Sequence, residues 1–191
     1  MLAVEVRAKY GFATPRVLRS DLRRIYRDEG IRIDLWPYKM KKLRGAYFND
    51  ADGASVLLAK SLPQDPMVFT MGHELKHHLV DRDKIVALCD TSNKSAEIEI
   101  GAEIFAAELI YPEDMFRADL TSLGVLQGSC TARNIVDLKR QTDTTLSYAG
   151  LSKRAEFLGF APLGTLARVA WKKLEESIYG IPFYKQRLLK S

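Results

Sequence analysis

The chain has 191 residues, a net charge of +5 and an apolar fraction of 47%. This length predicts one domain, or one domain with a small appendage, that can bury a core without disulfide staples. No apolar run approaches a membrane span, and the start of the chain lacks a signal-peptide core. The two cysteines show no metal or redox spacing, which is typical of a reducing compartment. We therefore expect a cytoplasmic protein without a membrane partner.

Much of the positive charge lies between residues 16 and 44, where basic residues outnumber acidic ones. Such clustering is compatible with binding to nucleic acid or to an acidic partner. Clustered charge more often covers a solvated helix face, and we favour that interpretation. The basic residues concerned are Arg16, Arg19, Arg23, Arg24, Arg27, Lys39, Lys41, Lys42 and Arg44.

The first part of the chain predicts a helix followed by three strands. Thr14 suits a helix cap, Pro15 suits a first helical position, and Gly30 ends the segment. The sequence IRIDLW alternates as a strand does. The sequence GAYFNDADGASVLLA predicts two strands joined by a turn at residues 50–53.

Two further helices are predicted after this hairpin. The first runs from Pro66, behind Asp65 as N-cap, to about Val80, and contains TMGHELKHHLV. The segment DRDKIVALCDTSNK is then a connection. The second helix, AEIEIGAEIFAAELI, is capped by Ser95 and stops before Pro112.

The rest of the chain is helical in character. TARNIVDLKRQTDTTLSYAGLSKRAEFLGF predicts two helices around a turn at residues 142–144, and LGTLARVAWKKLEESIYG predicts one more before a tail. Strands and helices therefore mix only in the first part. We predict an α+β domain over residues 1–115, followed by an all-helical, helix-turn-helix-like region over residues 116–191.

All three histidines of the chain lie on the helix predicted after the hairpin. His73 and His77 are four residues apart and can share one metal ion, and Glu74 lies about 100° round from His73. This H-E-x-x-H spacing is that of a zinc site in which the glutamate acts as general base. A surface helix with two stray histidines is the alternative, but their largely apolar side favours a shared cation. His78 points away and is interpreted as structural.

A catalytic zinc site normally has three protein ligands and one open position. No histidine remains, so the third ligand should be a carboxylate of the next helix. Glu99 and Glu103 are four residues apart and share a face. One of them can bind zinc while the other accepts a hydrogen bond from an imidazole N–H. The acidic residues of this helix are Glu97, Glu99, Glu103 and Glu108.

The sequence resembles the ImmA/IrrE family of bacterial zinc metallopeptidases, which are gluzincin-like proteins. The resemblance is carried by FTMGHELKHHLV together with IEIGAEIFAAELIYP some twenty residues later. It covers residues 14–115, and more weakly extends to about 160. It implies a zincin-like peptidase domain, in which a short sheet packs on the helices that carry HExxH and the downstream glutamate.

The resemblance also implies the ligand set. His73, His77 and Glu99 take the zinc-ligand places, and Glu74 takes the place of the catalytic base. The chain departs from the family pattern at two positions. Glu103 replaces an asparagine, and Lys76 stands where a small residue is common, so we expect Lys76 to point outward.

The function implied by the resemblance is zinc-dependent cleavage of a protein substrate. Family members act on a helix-turn-helix repressor encoded nearby, and thereby release stress-response, prophage or mobile-element genes. We expect one cut in an exposed segment of such a DNA-binding repressor. The strand GASVLLA, just before the histidine helix, is predicted to offer an edge for the substrate peptide.

Two alternatives to a peptidase remain open at this stage. The helical region could be a DNA-binding helix-turn-helix, with its contacts near the second helix, but Gly150 within that helix counts against it. The chain could also be a zinc-containing regulator that binds a repressor without cutting it. The residues that such a DNA-reading helix would use are Thr144, Thr145, Ser147, Tyr148, Lys153 and Arg154.

Overall fold

The computed structural model of the chain describes residues 2–37, 44–82 and 92–180. Within these ranges, helices and a three-stranded sheet form a mixed α+β structure, which confirms the predicted class. The elements in chain order are α1 (Leu2–Tyr10), α2 (Arg19–Asp28), β1 (Arg32–Trp36), β2 (Gly45–Asp50), β3 (Gly53–Ala59), α3 (Gln64–Val80), α4 (Ser92–Ile110), α5 (Glu113–Ser122), α6 (Ala132–Thr142), α7 (Tyr148–Phe157) and α8 (Trp171–Tyr179). None of the described helices combines the length and apolar character needed to cross a membrane.

The three strands lie in the order β1–β3–β2, with β1 parallel and β2 antiparallel to β3. The predicted hairpin turn is confirmed: the Asp52 N–H donates to the Asp50 carboxylate at 2.9 Å, and Gly53 adopts a φ of +96°. β3 is the central strand, so the prediction that GASVLLA offers a free edge is wrong. β1 pairs with the side of β3 that β2 does not use. The alternation of apolar and polar residues in a strand does not reveal such a non-local neighbour. The outer strands of the described sheet are β1 and β2.

The helix after Pro15 begins later than predicted. α2 starts at Arg19 because the Asp21 carboxylate accepts the Leu18 N–H at 2.8 Å and so satisfies a free donor of the first turn. The predicted end is confirmed, since Gly30 follows the helix with a φ of +71°.

The bounds of three other helices also differ from the predictions. α3 begins at Gln64, and Asp65, expected as its N-cap, instead accepts from the ammonium group of Lys139 at 2.9 Å. α4 begins at Ser92 and not after Ser95. The helix predicted over LGTLARVAWKKLEESIYG forms only in its second half, as α8. The two helices around residues 142–144 form as predicted, as α6 and α7.

Several sequence features lie outside the described residues. These are most of the predicted connection over residues 81–94, the lysines at positions 39, 41 and 42, and the tail after Pro182.

The helical region packs on the first part of the chain through shared apolar and polar contacts. The buried apolar cluster includes residues from Ala3 to Leu166. Thr144 and Thr145 are fully buried, and their hydroxyls donate to the carbonyls of Pro15 at 2.8 Å and Val17 at 2.6 Å. These bonds satisfy carbonyls that would otherwise be costly to bury. The division at residue 115 stays a prediction about sequence organisation.

Several of the side chains that the alternative DNA-reading helix would use are engaged within the protein. Besides the two buried threonines, Arg154 is buried and bonded to Glu108. Gly150 does not break the second helix, because it lies in the first turn of α7 and donates its N–H to Ser147 Oγ at 3.2 Å. The sequence argument from Gly150 is therefore wrong. Burial and internal bonding leave Thr144, Thr145 and Arg154 unavailable for contacts with DNA.

Replacing Thr145 by valine should lower the free energy of unfolding by about 1–3 kcal/mol, because the buried Val17 carbonyl loses this donor while the side-chain shape is kept. Denaturant unfolding followed by circular dichroism measures the change. Thr165→Val is the matched control, since the Thr165 hydroxyl also donates to a carbonyl, that of Pro162, but is exposed. Its effect should stay within about 0.5 kcal/mol. Equal losses in the two variants would contradict the account of this interface.

Candidate metal centre

Helices α3 and α4 approach closely because small residues face each other between them. A side-chain carbon built on Gly72 of α3 would lie 3.4 Å from the Cβ of Ala106 in α4. Further along, Lys76 of α3 lies against Gly101 of α4, so the two helices run antiparallel. This packing brings the face of α3 that carries the histidines next to the side chain of Glu99.

Three ligand atoms converge at this junction. The Nε2 atoms of His73 and His77 are 3.2 Å apart, and the Glu99 carboxylate lies 3.1 Å from the first and 3.5 Å from the second. Zinc bonds of 2.0–2.2 Å in a tetrahedral arrangement place neighbouring ligand atoms roughly 3.3–3.6 Å apart. The spacing therefore fits a single ion held by two imidazoles and a carboxylate. Among the described residues, these three side chains form the group that could hold a metal ion.

A buried carboxylate fixes the orientation of the His77 imidazole through its Nδ1 atom. Asp81 is 2% exposed, and its Oδ2 lies 3.1 Å from Nδ1 of His77. A carboxylate only accepts, so Nδ1 carries the proton and Nε2 keeps its lone pair for the metal. The sequence predicts that Asp81 belongs to a connection, and this role was not predicted. Its position four residues after His77, on the same helix face, is the signal that would have found it.

The site is buried on the histidine side and open on the glutamate side. The side chains of His73 and His77 are 17% and 5% exposed, whereas that of Glu99 is 57% exposed. Burial lowers the pKa of His73, the neighbouring His77 lowers it further, and Glu99 opposes both. The neutral imidazole favoured by this environment is the form that binds a metal ion.

Glu74 lies beside this group but is not a member of it. It is 5% exposed, and the backbone N–H of Tyr47 in β2 donates to its carboxylate. Burial raises the pKa of Glu74 to about 8, and the charge of Glu99 also raises it. Raised pKa values of this kind are typical of carboxylates that exchange protons near neutral pH.

The start of β2 lies unusually close to Glu74. A side-chain carbon on Gly45 would lie 2.9 Å from Oε1 of Glu74 and 2.6 Å from Cγ2 of Thr70. Only glycine therefore fits here without a shift of the strand or of these side chains. The sequence does not predict the roles of Gly45 and of the Tyr47 N–H. Both roles depend on the packing of β2 against α3.

Glu103 does not take up the alternative role considered for it. Its carboxylate lies 3.6 Å from Nζ of Lys153 and is 56% exposed, while Asp81 supplies the hydrogen bond to an imidazole. Glu103 therefore pairs with α7, although its charge still raises the pKa of His73 on α3.

Lys76 does not point outward as expected. Its side chain is 12% exposed, and Nζ donates to Asp81 at 2.5 Å and to the carbonyl of Ile98 at 3.2 Å. The outward prediction is wrong because α4 covers this side of α3 and offers acceptors there. His78 is 2% exposed and contacts Arg82 and the hydroxyl of Tyr47, in line with the structural role assigned to it.

The hydroxyls of two tyrosines have partners within the protein. That of Tyr47 lies 3.1 Å from Nδ1 of His78, and that of Tyr111 donates to Asp119 at 2.6 Å.

The chain is similar to a known protein family and to a solved structure. Residues 27–129 match the protein family described as IrrE N-terminal-like domain, a peptidase family designated M78. A solved structure of a "Mycobacterium tuberculosis transcriptional regulator" is similar, with a TM-score of 0.57 and 20% identity over 82% of this chain. The chain spans 45% of the length of that regulator, and the likeness shows a shared fold. A search of curated proteins found no match.

The buried Glu74 predicts a pH-dependent stability of the metal-free protein. Its carboxyl has a usual pKa of 4.5 and a folded pKa of about 8. Below pH 4.5 both states hold the proton. Between pH 4.5 and 8 only the folded state holds it, so stability falls as the pH rises through this window and levels off above it. With a chelator present, Glu74→Gln should therefore unfold at an increasingly higher temperature than the wild type from pH 5 to pH 8. Parallel melting curves for the two proteins would contradict the burial of an ionisable group here.

Proposed function

The chain belongs to the IrrE N-terminal-like domain family, and from this membership we propose that it is a zinc-dependent endopeptidase of the ImmA/IrrE type. The observation that carries the proposal is the convergence of two imidazoles and a carboxylate beside a buried glutamate. His73, His77 and Glu99 would hold the zinc ion, and Glu74 would serve as the catalytic base. The protein would act in the cytoplasm.

Each component has a distinct chemical task. Zinc, when bound, would polarise the carbonyl of the scissile bond and make a water molecule acidic enough to attack it. Glu74 takes the proton of the attacking water at its carboxylate and hands it to the leaving amine. The N–H of Tyr47 and the burial of Glu74 hold that carboxylate in one orientation beside the ligand group.

The substrate peptide would lie along β2. This strand is an outer strand of the described sheet, and its first residue, Gly45, is in close contact with Glu74. An extended peptide that pairs with β2 would therefore pass the proposed base. This position replaces β3, which has neighbours on both sides.

We propose that the substrate is a DNA-binding repressor of the helix-turn-helix class. Family membership and the fold shared with a protein titled as a transcriptional regulator support this proposal. Cleavage requires a backbone segment that leaves its own structure at low cost, so one cut in an exposed loop is expected. The result would be release of the genes that the repressor controls.

The purified wild type should contain one zinc ion per chain by elemental analysis, and the variant with both His73→Ala and His77→Ala should contain none. Glu99→Ala should lose more zinc than Glu103→Ala, because Glu103 is directed towards Lys153. Stoichiometric zinc in the double histidine variant would contradict the site. A greater loss in Glu103→Ala would reassign the third ligand.

Glu74→Gln should keep the zinc but lose about 10²–10⁴-fold or more in cleavage rate, because an amide of the same shape cannot accept the proton. The assay mixes the zinc-loaded protein with a helix-turn-helix repressor encoded next to it, and mass spectrometry follows the products. Cleavage by the variant at the wild-type rate would mean that another group activates the water.

Unfolded casein is the matched control for selectivity in this assay. It should be cut poorly, because the expected cleavage is a single event in one partner. Many cuts in casein beside an intact repressor would indicate a general peptidase. Binding of the repressor by both proteins without any cut would favour a non-cleaving regulator.

A further inference from the structure

We propose that Lys76 is a positioning residue that couples the two ligand helices and thereby sets the geometry of the metal centre. The inference rests on the proposed function only in taking His73, His77 and Glu99 as the metal ligands. Lys76 contacts none of their ligand atoms. It acts through Asp81 on the α3 side and through the backbone of α4 on the other.

The first contact is an ion pair that is shielded from water. Nζ of Lys76 lies 2.5 Å from Oδ2 of Asp81, and the two side chains are 12% and 2% exposed. The same oxygen lies 3.1 Å from Nδ1 of His77. The ammonium group supplies the cation that a buried carboxylate requires, and the same carboxylate bonds to the imidazole of His77.

The second contact reaches across to α4. Nζ of Lys76 also donates to the carbonyl of Ile98 at 3.2 Å, one residue before Glu99. Gly101 makes room for this ammonium group, since a side-chain carbon there would lie 3.3 Å from Nζ. A single ammonium group therefore links the carboxylate that orients His77 to the helical turn that carries Glu99.

The consequence is that the separation of the ligands depends on Lys76. Metal–ligand bond lengths are usually held within about 0.2 Å, so a small slide of α4 along α3 would move Glu99 out of range. Loss of the ammonium group removes the link to α4 and leaves Asp81 buried without its cation. Both changes act on metal binding without altering any ligand.

The test measures zinc affinity and coordination geometry. Zinc dissociation constants are obtained by competition with a chromophoric chelator, and the visible spectrum of the Co²⁺-loaded protein reports the ligand geometry. Lys76→Met, which keeps an unbranched side chain but lacks the ammonium group, should raise the zinc dissociation constant about 10–100-fold, the usual effect of losing a group that orients a ligand. Its Co²⁺ spectrum should also change.

Lys153→Met is the matched control. Lys153 also pairs with a carboxylate of α4, that of Glu103 at 3.6 Å, but its side chain is 76% exposed. An exposed pair contributes little, so its zinc affinity should stay within about 2-fold of the wild type.

A second pair of variants separates positioning from folding. Asp81→Asn can still accept from His77, and Asp81→Asn combined with Lys76→Met leaves no buried charge without a partner. The combined variant should melt as a folded protein without metal, yet bind zinc more weakly than Asp81→Asn alone, because only the combined variant lacks the link to Ile98. This comparison holds even if Lys76→Met alone fails to fold.

The outcomes divide cleanly. Unchanged zinc affinity and an unchanged Co²⁺ spectrum in Lys76→Met, with a wild type that binds zinc, would overturn the role of Lys76 and leave the proposed function intact. Equal affinity in Asp81→Asn and the combined variant would overturn the link to α4. A wild type that takes up no zinc would overturn the metal site, and the role of Lys76 with it.

Discussion

The close packing of α3 on α4 is the contact on which the candidate site depends. Two imidazoles on one helix face arise from a spacing of four residues, but the carboxylate must come from a second helix at the right distance. Gly72 facing Ala106 brings the helix backbones near enough for Glu99 to reach both imidazoles. A larger residue at Gly72 would move the carboxylate outward and leave two buried imidazoles without a common partner.

Burial at this junction determines the pairing, the orientation or the protonation of the polar groups around it. Asp81 and Lys76 form an ion pair that orients His77, and Glu74 is protonated more readily because it is shielded from water. The site is exposed to solvent on the side of Glu99. β2 borders the other side of Glu74 and contributes a backbone donor to it. A group of side chains that could hold a metal ion, a buried carboxyl group and an outer strand thus meet at α3.

The sequence predicted the side chains that converge at this site better than the contacts that surround them. His73, Glu74 and His77 lie on one helix as their spacing requires, and Glu99 is the acid of α4 that reaches them. Local patterns are sufficient for this, because residues i and i+4 on a helix are neighbours in any fold. The α+β class and the β2–β3 hairpin followed from strand alternation and turn residues in the same way.

What the sequence did not predict depends on contacts between distant segments. β3 is the central strand because it also pairs with β1. The side chain of Lys76 points inward because α4 offers an acceptor for its ammonium group. Asp65 was expected to cap α3, but Lys139 lies 74 positions away in sequence and bonds to it. The start of α2 was misplaced because Asp21 caps the helix from within. In each case a tertiary partner, or a competing cap, outweighs the local preference.

The most direct test of the account is the crystal structure of the zinc-loaded protein, with anomalous diffraction measured on both sides of the zinc absorption edge. The account predicts one zinc ion bound by Nε2 of His73, Nε2 of His77 and a carboxylate oxygen of Glu99, at about 2.0–2.2 Å. Glu74 should lie beside the ion without being its ligand, and Asp81 should remain bonded to His77. An ion bound through Glu103 or Asp81, or located away from the α3–α4 junction, would contradict it.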